Sequence, residues 1–440
     1  MPNKEMVIQK GLHNPLKLII LILVISACGS IRRVILKQEL QQISNKSEVL
    51  SKYFVGLSLY DPESKQYLLN INGNKYFTPA SNTKILTLAT WLATGLDSIP
   101  SFKLAEVNGN AIIEPLGDPT LLHPDFPVQN ALLQLATNYD TVFVKWPAPS
   151  PKPFATGWAW DDYNNSYQPE RSSMPLYGNT LHAFYANNGR VIVPDFFEKF
   201  IESNSNQTGR AREYNFFQLN DSAYQGSSKE VQIPFKTGNE LTMKLLQDTL
   251  GVPVIEKHTS ITEKVMQIIH SYDRLPVLAS MMLNSDNFLA EQLLVNAQLY
   301  SDNSNLTAFI EATKQSLFTR TPHPLEWVDG SGLSRYNMFT PMSLVKVLEV
   351  IYQQLSWQEI NLIFPKGGVS GTIKGWYAAE TPYVFAKTGT LRHNHCLSGY
   401  IQTKSGNRLI FSFMNNHYTN GSTEVKREMQ KILEAIRDAY

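Results

Sequence analysis

The apolar positions of this chain change spacing several times, and each change marks an element. Residues 31–53 carry Ile31, Val34, Ile35, Leu40, Ile43 and Leu50 at a loosely helical period and predict a helix. Phe-Val-Gly-Leu-Ser-Leu-Tyr at 54–60 then reads as a strand. The turn Asp61-Pro62-Glu63-Ser64 and a second strand over 66–71 complete a hairpin. After the turn Asn72-Gly73-Asn74, the segment Pro79-Ala80-Ser81 leads into a helix expected over 82–96. From about residue 101 to 257 the texture differs. Short strand-like runs at 141–146 and 189–193 lie between turns rich in Pro, Asn and Ser, so this stretch reads as a β-rich insertion. Helical periods resume near 261–271, 275–283, 287–300 and 304–317. Strands follow near 382–387, 396–403 and 407–415. A helix over 423–440 closes the chain, with Val425, Met429, Ile432, Leu433 and Ile436 on one face. Hairpin, helical block, strands and terminal helix make an α/β unit interrupted by an insert, and no internal repeat is evident.

The first residues follow a different logic. Lys4, Lys10 and Lys17 precede an unbroken apolar run over 18–25. That run is too short to span a bilayer, which takes about 20 residues, and it reads as the apolar region of a secretory signal. It ends in Ile25-Ser26-Ala27-Cys28, which resembles a bacterial lipobox. Cys28 is then the lipidated residue, residues 1–27 the signal peptide, and the mature protein a membrane-anchored envelope protein. Only one other cysteine exists, Cys396, so there is no disulfide framework. The 440 residues, 43% of them hydrophobic and 18% charged, suit two or three globular units. A net charge of +1 supplies no basic field for nucleic acid. The boundaries read as 28–102 and 258–440 for the two parts of the main unit, with 103–257 inserted.

Three short motifs carry chemistry. Ser81-Asn82-Thr83-Lys84 puts a hydroxyl and an amine three residues apart, on one face of a helix. A helix N-terminus there adds partial positive charge for a developing oxyanion. The amine acts as a base only when neutral, so its pKa has to be lowered by burial or a nearby cation. Ser343-Leu344-Val345-Lys346 matches the same spacing, but as a solvated mid-helix pair. Ser285-Asp286-Asn287 opens an amphipathic helix, whereas Ser301-Asp302-Asn303 falls in a polar loop. Lys387-Thr388-Gly389-Thr390 ends a strand, where Lys offers charge to a carboxylate and the backbone can bond an extended peptide. Lys236-Thr237-Gly238 repeats the triplet inside the insert, where it reads as a turn. Ser81, Ser285 and Lys387 fall in the order Ser-x-x-Lys, Ser-x-Asn, Lys-Thr-Gly, each at an element boundary.

Longer strings extend the likeness. Phe77-Thr78-Pro79-Ala80-Ser81-Asn82-Thr83-Lys84, Gly117-Asp118-Pro119-Thr120-Leu121, Gly157-Trp158-Ala159-Trp160-Asp161-Asp162 and Asp329-Gly330-Ser331-Gly332-Leu333-Ser334-Arg335 resemble blocks of the class C D-alanyl-D-alanine carboxypeptidase/endopeptidase penicillin-binding proteins. The resemblance implies a penicillin-binding/β-lactamase-like serine transpeptidase domain, an antiparallel sheet with helices. It implies attack by Ser81 on the penultimate D-Ala carbonyl of peptidoglycan stem peptides, Lys84 as base, and covalent inhibition by β-lactams. Ser285 would relay a proton to the leaving D-Ala, and Asn287 would orient the substrate amide. Lys387 and Thr388 would hold the terminal carboxylate, with Lys387 helping to keep Lys84 neutral. The oxyanion hole would be the N–H groups of Ser81 and Thr390. Asp162, Tyr167 and Arg335 would recognise the third residue of the stem peptide. Arg392 stands where some members carry a neutral amide, and the stretch between Ser81 and Ser285 is shorter than in larger members, with its nested third domain reduced.

No cofactor or metal is required by this chemistry. His393 and His395 would share one strand face as a solvated rim pair. Two rival readings remain. A β-lactamase needs a carboxylate to activate water, for which Glu291 is the candidate. A non-catalytic peptidoglycan-binding envelope lipoprotein would need a decayed site, against which the complete motif set argues.

Overall fold

The computed structural model describes residues 47–186, 189–224, 230–258 and 266–440. Cys28, the apolar run before it and most of the 31–53 helix lie outside the described residues. Within that segment Leu50–Lys52 forms a 3-10 turn.

The two ends of the chain meet in one five-stranded antiparallel sheet, ordered Val384–Leu391, Asn394–Gln402, Arg408–Asn416, Phe54–Asp61 and Gln66–Ile71. Successive side chains go to opposite faces. Leu409, Phe411 and Phe413 enter one core with Leu57 and Leu59, and the helix Ser422–Ala439 covers it with Val425, Met429, Ile432, Leu433 and Ile436. Ile410, Met414 and Tyr60 enter the opposite core, beneath helices Lys84–Leu92, Arg274–Leu283, Asn287–Tyr300 and Pro341–Gln354. Burial of both faces explains why these strands read as near-continuous apolar runs.

A second five-stranded sheet runs Val254–Glu256, Val142–Val144, Asn110–Pro115, Ser98–Val107 and Gln267–Asp273. Two three-stranded sheets accompany it, and Phe102, Ile113, Leu181, Phe217 and Leu246 belong to a core separate from the others. Helices Asn130–Asn138 and Asn239–Leu250 pack there as well.

Two expected elements differ. The helix expected over 261–271 is a strand, Gln267–Asp273, in its described part. It lies along the Ser98–Val107 edge, where strand pairing and burial of Ile269 outweigh a local helical period. The helix expected over 82–96 begins instead as a 3-10 turn, Ala80–Thr83, and is α-helical over Lys84–Leu92. No helix among the described residues is long and apolar enough to cross a membrane.

Candidate active site

The Ser81 turn is held in an unusual backbone state. Ala80 has φ +49°, a left-handed value that non-glycine residues rarely adopt. Thr83 Oγ1 donates to the Ala80 carbonyl at 2.9 Å. Gly332 covers the same carbonyl so closely that a Cβ there would sit 1.9 Å from it. Gly389 approaches from the other side, where a Cβ would meet the Pro79 carbonyl at 2.2 Å. The edge strand Val384–Leu391 can therefore lie directly against the turn, and Asn82 Nδ2 ties them by donating to the Lys387 carbonyl at 2.8 Å. Ser81 stays half-buried in the cleft between them.

Lys84 is fully buried, and its Nζ reaches Ser81 Oγ at 3.1 Å, Asn287 Oδ1 at 2.6 Å and the Ser331 carbonyl at 2.8 Å. Burial pulls its pKa down to about 8, against the opposing pull of the Asp286, Glu291 and Asp329 carboxylates. About a tenth of the amine is then neutral at pH 7. In that form the Ser81 hydroxyl donates to Nζ. Burial does most of this work.

The second lysine mirrors the first. Lys387 Nζ donates to Ser285 Oγ and to the Thr388 carbonyl, each at 2.8 Å. Burial, and then the charge of Lys84, hold its amine well below the ordinary lysine range. Ser285 has φ +56°, and Asp286 caps the following helix by accepting from Leu289 N at 2.8 Å. That cap starts the helix so that Asn287 faces Lys84. On the strand, Thr388 Oγ1 meets Thr372 Oγ1 at 2.7 Å, and Thr390 Oγ1 meets His395 Nδ1 at 2.8 Å. Burial first, and then Lys426 and Lys387, depress His395 to about 3, so its ring is neutral.

Asp162 and Tyr167 come together, Tyr167 Oη donating to Asp162 Oδ1 at 2.8 Å. Burial and this carboxylate push the phenol up to about 12. The Tyr167 carbonyl accepts from Asn287 Nδ2 at 2.8 Å, which joins this pair to the lysine cluster. Arg335 is exposed and reaches the Arg392 carbonyl at 3.5 Å. Its loop abuts the Asp162 segment, since a Cβ on Gly157 would meet Ser334 Oγ at 2.7 Å. Beside Ser285 and Asn287 opens a cleft of about 280 Å³ that also touches Tyr167, His123, Asp125 and Glu230.

Several supporting residues lie in strings quoted from the sequence but are given no role there. The Ser331 carbonyl is aimed at Lys84 because Asp329, fully buried, accepts from Gly332 N, Ser334 N, Asn337 Nδ2 and Trp158 Nε1 at 2.7–2.9 Å. Burial raises the Asp329 pKa, with Glu291 adding to the rise. The Gly-Ser-Gly run flanked by Asp329 and Ser334 was the available signal.

Glu291 is only 2% exposed. Its Oε1 accepts from Ser331 N at 2.7 Å and its Oε2 from Arg171 Nε at 2.8 Å. Both oxygens are committed to holding the loop, so Glu291 is not placed to activate water.

The duplicate motifs are elsewhere. Ser343 is buried near the start of its helix and donates to the His323 carbonyl at 2.8 Å, which corrects the solvated position expected of it. Lys236 Nζ donates to the Glu213 carbonyl, and Thr237 Oγ1 to Glu170. Ser301 ends its helix by donating to the Ala297 carbonyl. His393 and His395 do not share a strand face. His393 sits in the turn before Asn394–Gln402 with φ +69°, while His395 is buried in the strand. The described residues contain no group of His, Cys, Asp and Glu able to hold a metal ion. Cys396 is a buried free thiol, raised by burial to about 12.

Comparison with known proteins agrees with this geometry. The chain is 25% identical to the D-alanyl-D-alanine carboxypeptidase DacB of Haemophilus influenzae, over 88% of this chain and 90% of that protein. It is 23% identical to penicillin-sensitive carboxypeptidase A of Dictyostelium discoideum, over 85% of each. The crystal structure of Haemophilus influenzae penicillin binding protein 4 matches with TM-score 0.68 at 20% identity, over 91% of this chain and 99% of that one. Residues 36–438 match the D-Ala-D-Ala carboxypeptidase 3 (S13) family. The chain belongs to that family and is a D-Ala-D-Ala carboxypeptidase.

Proposed function

We propose that Ser81 is the nucleophile and that it forms an acyl-enzyme with peptidoglycan stem peptides ending in D-Ala-D-Ala. The observation that carries this is the buried Lys84 amine, drawn down to about 8 and placed 3.1 Å from Ser81 Oγ. Neutral Lys84 takes the Ser81 proton as Oγ attacks the penultimate D-Ala carbonyl. The oxyanion rests on the N–H groups of Ser81 and Thr390. As the C–N bond breaks, a proton passes through Ser285 to the leaving D-Ala nitrogen, with Asn287 orienting the substrate amide. Lys387, Thr388 and Gly389 line the strand that receives the terminal carboxylate. Water, deprotonated by Lys84, then hydrolyses the ester and frees Ser81.

Asp162, Tyr167 and Arg335 are proposed to read the third residue of the stem peptide. The cleft beside Ser285 leaves room for a longer leaving group, so cleavage of cross-links by the same route is proposed as a second activity. Residues 103–257 are proposed as a unit inserted between 28–102 and 258–440. Residues 1–27 are proposed as a signal peptide, with Cys28 lipidated and the mature chain anchored to a membrane on the periplasmic side, as a class C lipoprotein. The Haemophilus influenzae protein has been solved with a bound β-lactam, which supports covalent inhibition of Ser81 by β-lactams.

Two measurements test this reading. Release of D-Ala from a D-Ala-D-Ala pentapeptide should occur with the wild type, and a fluorescent penicillin should label it. A label that persists on Ser81→Ala would falsify the assignment. Fatty-acid labelling that Cys28→Ala abolishes would support the anchor, and labelling unchanged by that substitution would remove it.

A further inference from the structure

A second groove, of about 310 Å³, lies outside the cluster that the mechanism uses. Phe154, Trp158, Trp160 and Tyr163 line it, together with Arg212 and Gln168. The turn Trp160–Asn164 is fastened to strand Gly209–Arg210, with Arg210 N donating to Asn164 Oδ1 at 2.8 Å and Tyr163 Oη to the Arg210 carbonyl at 3.3 Å. Those bonds make a shelf of aromatic rings, over three of which a guanidinium lies: Arg171 over Trp158, Arg210 over Tyr163 and Arg212 over Trp160. Trp160 is 68% exposed and Phe154 39% exposed. The Arg212 guanidinium lies over the Trp160 ring, 4.9 Å from its centroid. A cluster of open aromatic rings beside one groove marks a binding surface.

The polar groups narrow the occupant. Arg210, Arg212 and Lys236 line the groove with Glu170 and Glu213, one positive charge in excess, and Arg210 spends its guanidinium on the Pro234, Ala211 and Arg212 carbonyls. Gln168 is 2% exposed and spends its Nε2 on the Ala159 carbonyl at 2.9 Å. Its Oε1 finds no donor among the described residues. A buried acceptor left unpaired is costly, and a ligand N–H or O–H would recover that cost. Exposed aromatic rings and a buried acceptor without a donor fit a pyranose ring. Such a ring offers C–H faces for stacking and hydroxyl and acetamido groups at its edge.

The position also fits. Gln168 follows Tyr167, whose carbonyl bonds Asn287. Trp158 holds Asp329, whose loop supplies the Ser331 carbonyl to Lys84. The groove thus adjoins the Tyr167 and Asp329 segments that contact the Lys84 cluster.

We propose that this groove binds an N-acetylated amino sugar of the glycan strand, so that a glycan-bearing stem peptide is a better substrate than the bare peptide. This rests on the peptidoglycan reading of the Ser81 site. The test compares D-Ala release from a pentapeptide and from the same pentapeptide carrying its disaccharide. For the wild type, KM should fall about tenfold with the sugar attached while kcat stays the same. Trp160→Ala should return the KM of the sugar-bearing substrate to that of the bare peptide and leave bare-peptide kinetics untouched. Arg212→Gln, a milder change, should give a smaller rise in the same KM. Penicillin labelling of each variant checks that it is folded. Equal KM values for the two substrates on the wild type, or an equal loss on both with Trp160→Ala, would overturn the proposal. If the wild type releases no D-Ala from either substrate, the Ser81 reading fails. Calorimetry with the free disaccharide then decides the groove alone, with heat lost in Trp160→Ala supporting it and no heat on the wild type refuting it.

Discussion

The chain contains the pattern Ser-x-x-Lys twice in helical surroundings, and the two copies have opposite fates. In Ser343–Lys346 the serine donates to the His323 carbonyl, and the lysine pairs with Glu349 at 2.9 Å while lying 3.8 Å over the Tyr60 ring. That lysine is held by a carboxylate and an aromatic ring rather than by the hydroxyl of its motif. In Ser81–Lys84 the amine is sealed from water and its hydrogen-bond partners are Ser81 Oγ, Asn287 Oδ1 and the Ser331 carbonyl, all neutral oxygens. Nearby carboxylates pull its pKa upward, but burial outweighs them. Spacing sets the distance between hydroxyl and amine. Only the surroundings turn the amine into a base.

The largest break in this comparison should come from exchanging the serines. Ser81→Ala should lower peptide cleavage by about 10⁴-fold or more and abolish penicillin labelling. Ser343→Ala should leave both unchanged in assays of the folded protein. Glu291→Gln should be the most destabilising change. It leaves the Arg171 guanidinium buried without its counter-charge, costing about 3 kcal/mol, as read by chemical denaturation. The lifetime of the penicillin adduct should not lengthen, and a much longer lifetime would restore Glu291 as a deacylation base.

Gly332→Ala forces a Cβ against the Ala80 carbonyl and demands φ +87° of an alanine. Displacing the nucleophile turn by even about 1 Å should slow acylation on the order of 10²-fold. Stopped-flow acylation measures this, and a wild-type rate would show that the turn is not held by that contact.

The pH dependence sharpens the same contrast. The active form of Lys84 is neutral, so acylation should rise with pH and level off above about 8. Stability follows the same sign. Between about 8 and the ordinary lysine value of 10.5 the unfolded chain binds more protons than the folded one at Lys84. This group therefore adds stability as pH rises through that window, and the gain is absent below it. An acylation rate falling across that window would contradict the assignment of the base. The smallest effect belongs to Lys346→Gln, which should change stability by less than about 1 kcal/mol and activity not at all.

Much of the main sheet was legible because period and burial agree there. The strands expected at 54–60 and 66–71 appear as Phe54–Asp61 and Gln66–Ile71, and the last three strands lie within a few residues of expectation. The terminal helix presents the apolar face read from its spacing. Reading failed where partners decide. Gln267–Asp273 takes its form from the Ser98–Val107 edge, and the Ala80–Thr83 turn takes its form from Gly332 and the Lys387 strand. The two histidines illustrate the same limit, since alternation in the sequence could not show that His393 lies in the turn and His395 in the strand.

By itself the sequence determined the order of the three motifs, the residues that bear hydroxyl, amine and amide, and the apolar periods of the sheet and its helices. Tertiary structure decided which copies of the motifs meet in one cluster. It brought Ser81, Lys84, Ser285, Asn287 and Lys387 together from separated stretches of chain. It also shut water away from Lys84 and tied up Glu291 with Arg171 and Ser331. The physical reason is that a pKa and a hydrogen-bond partner belong to a place in space. A linear pattern can supply the groups, but only packing can set the field in which they ionise.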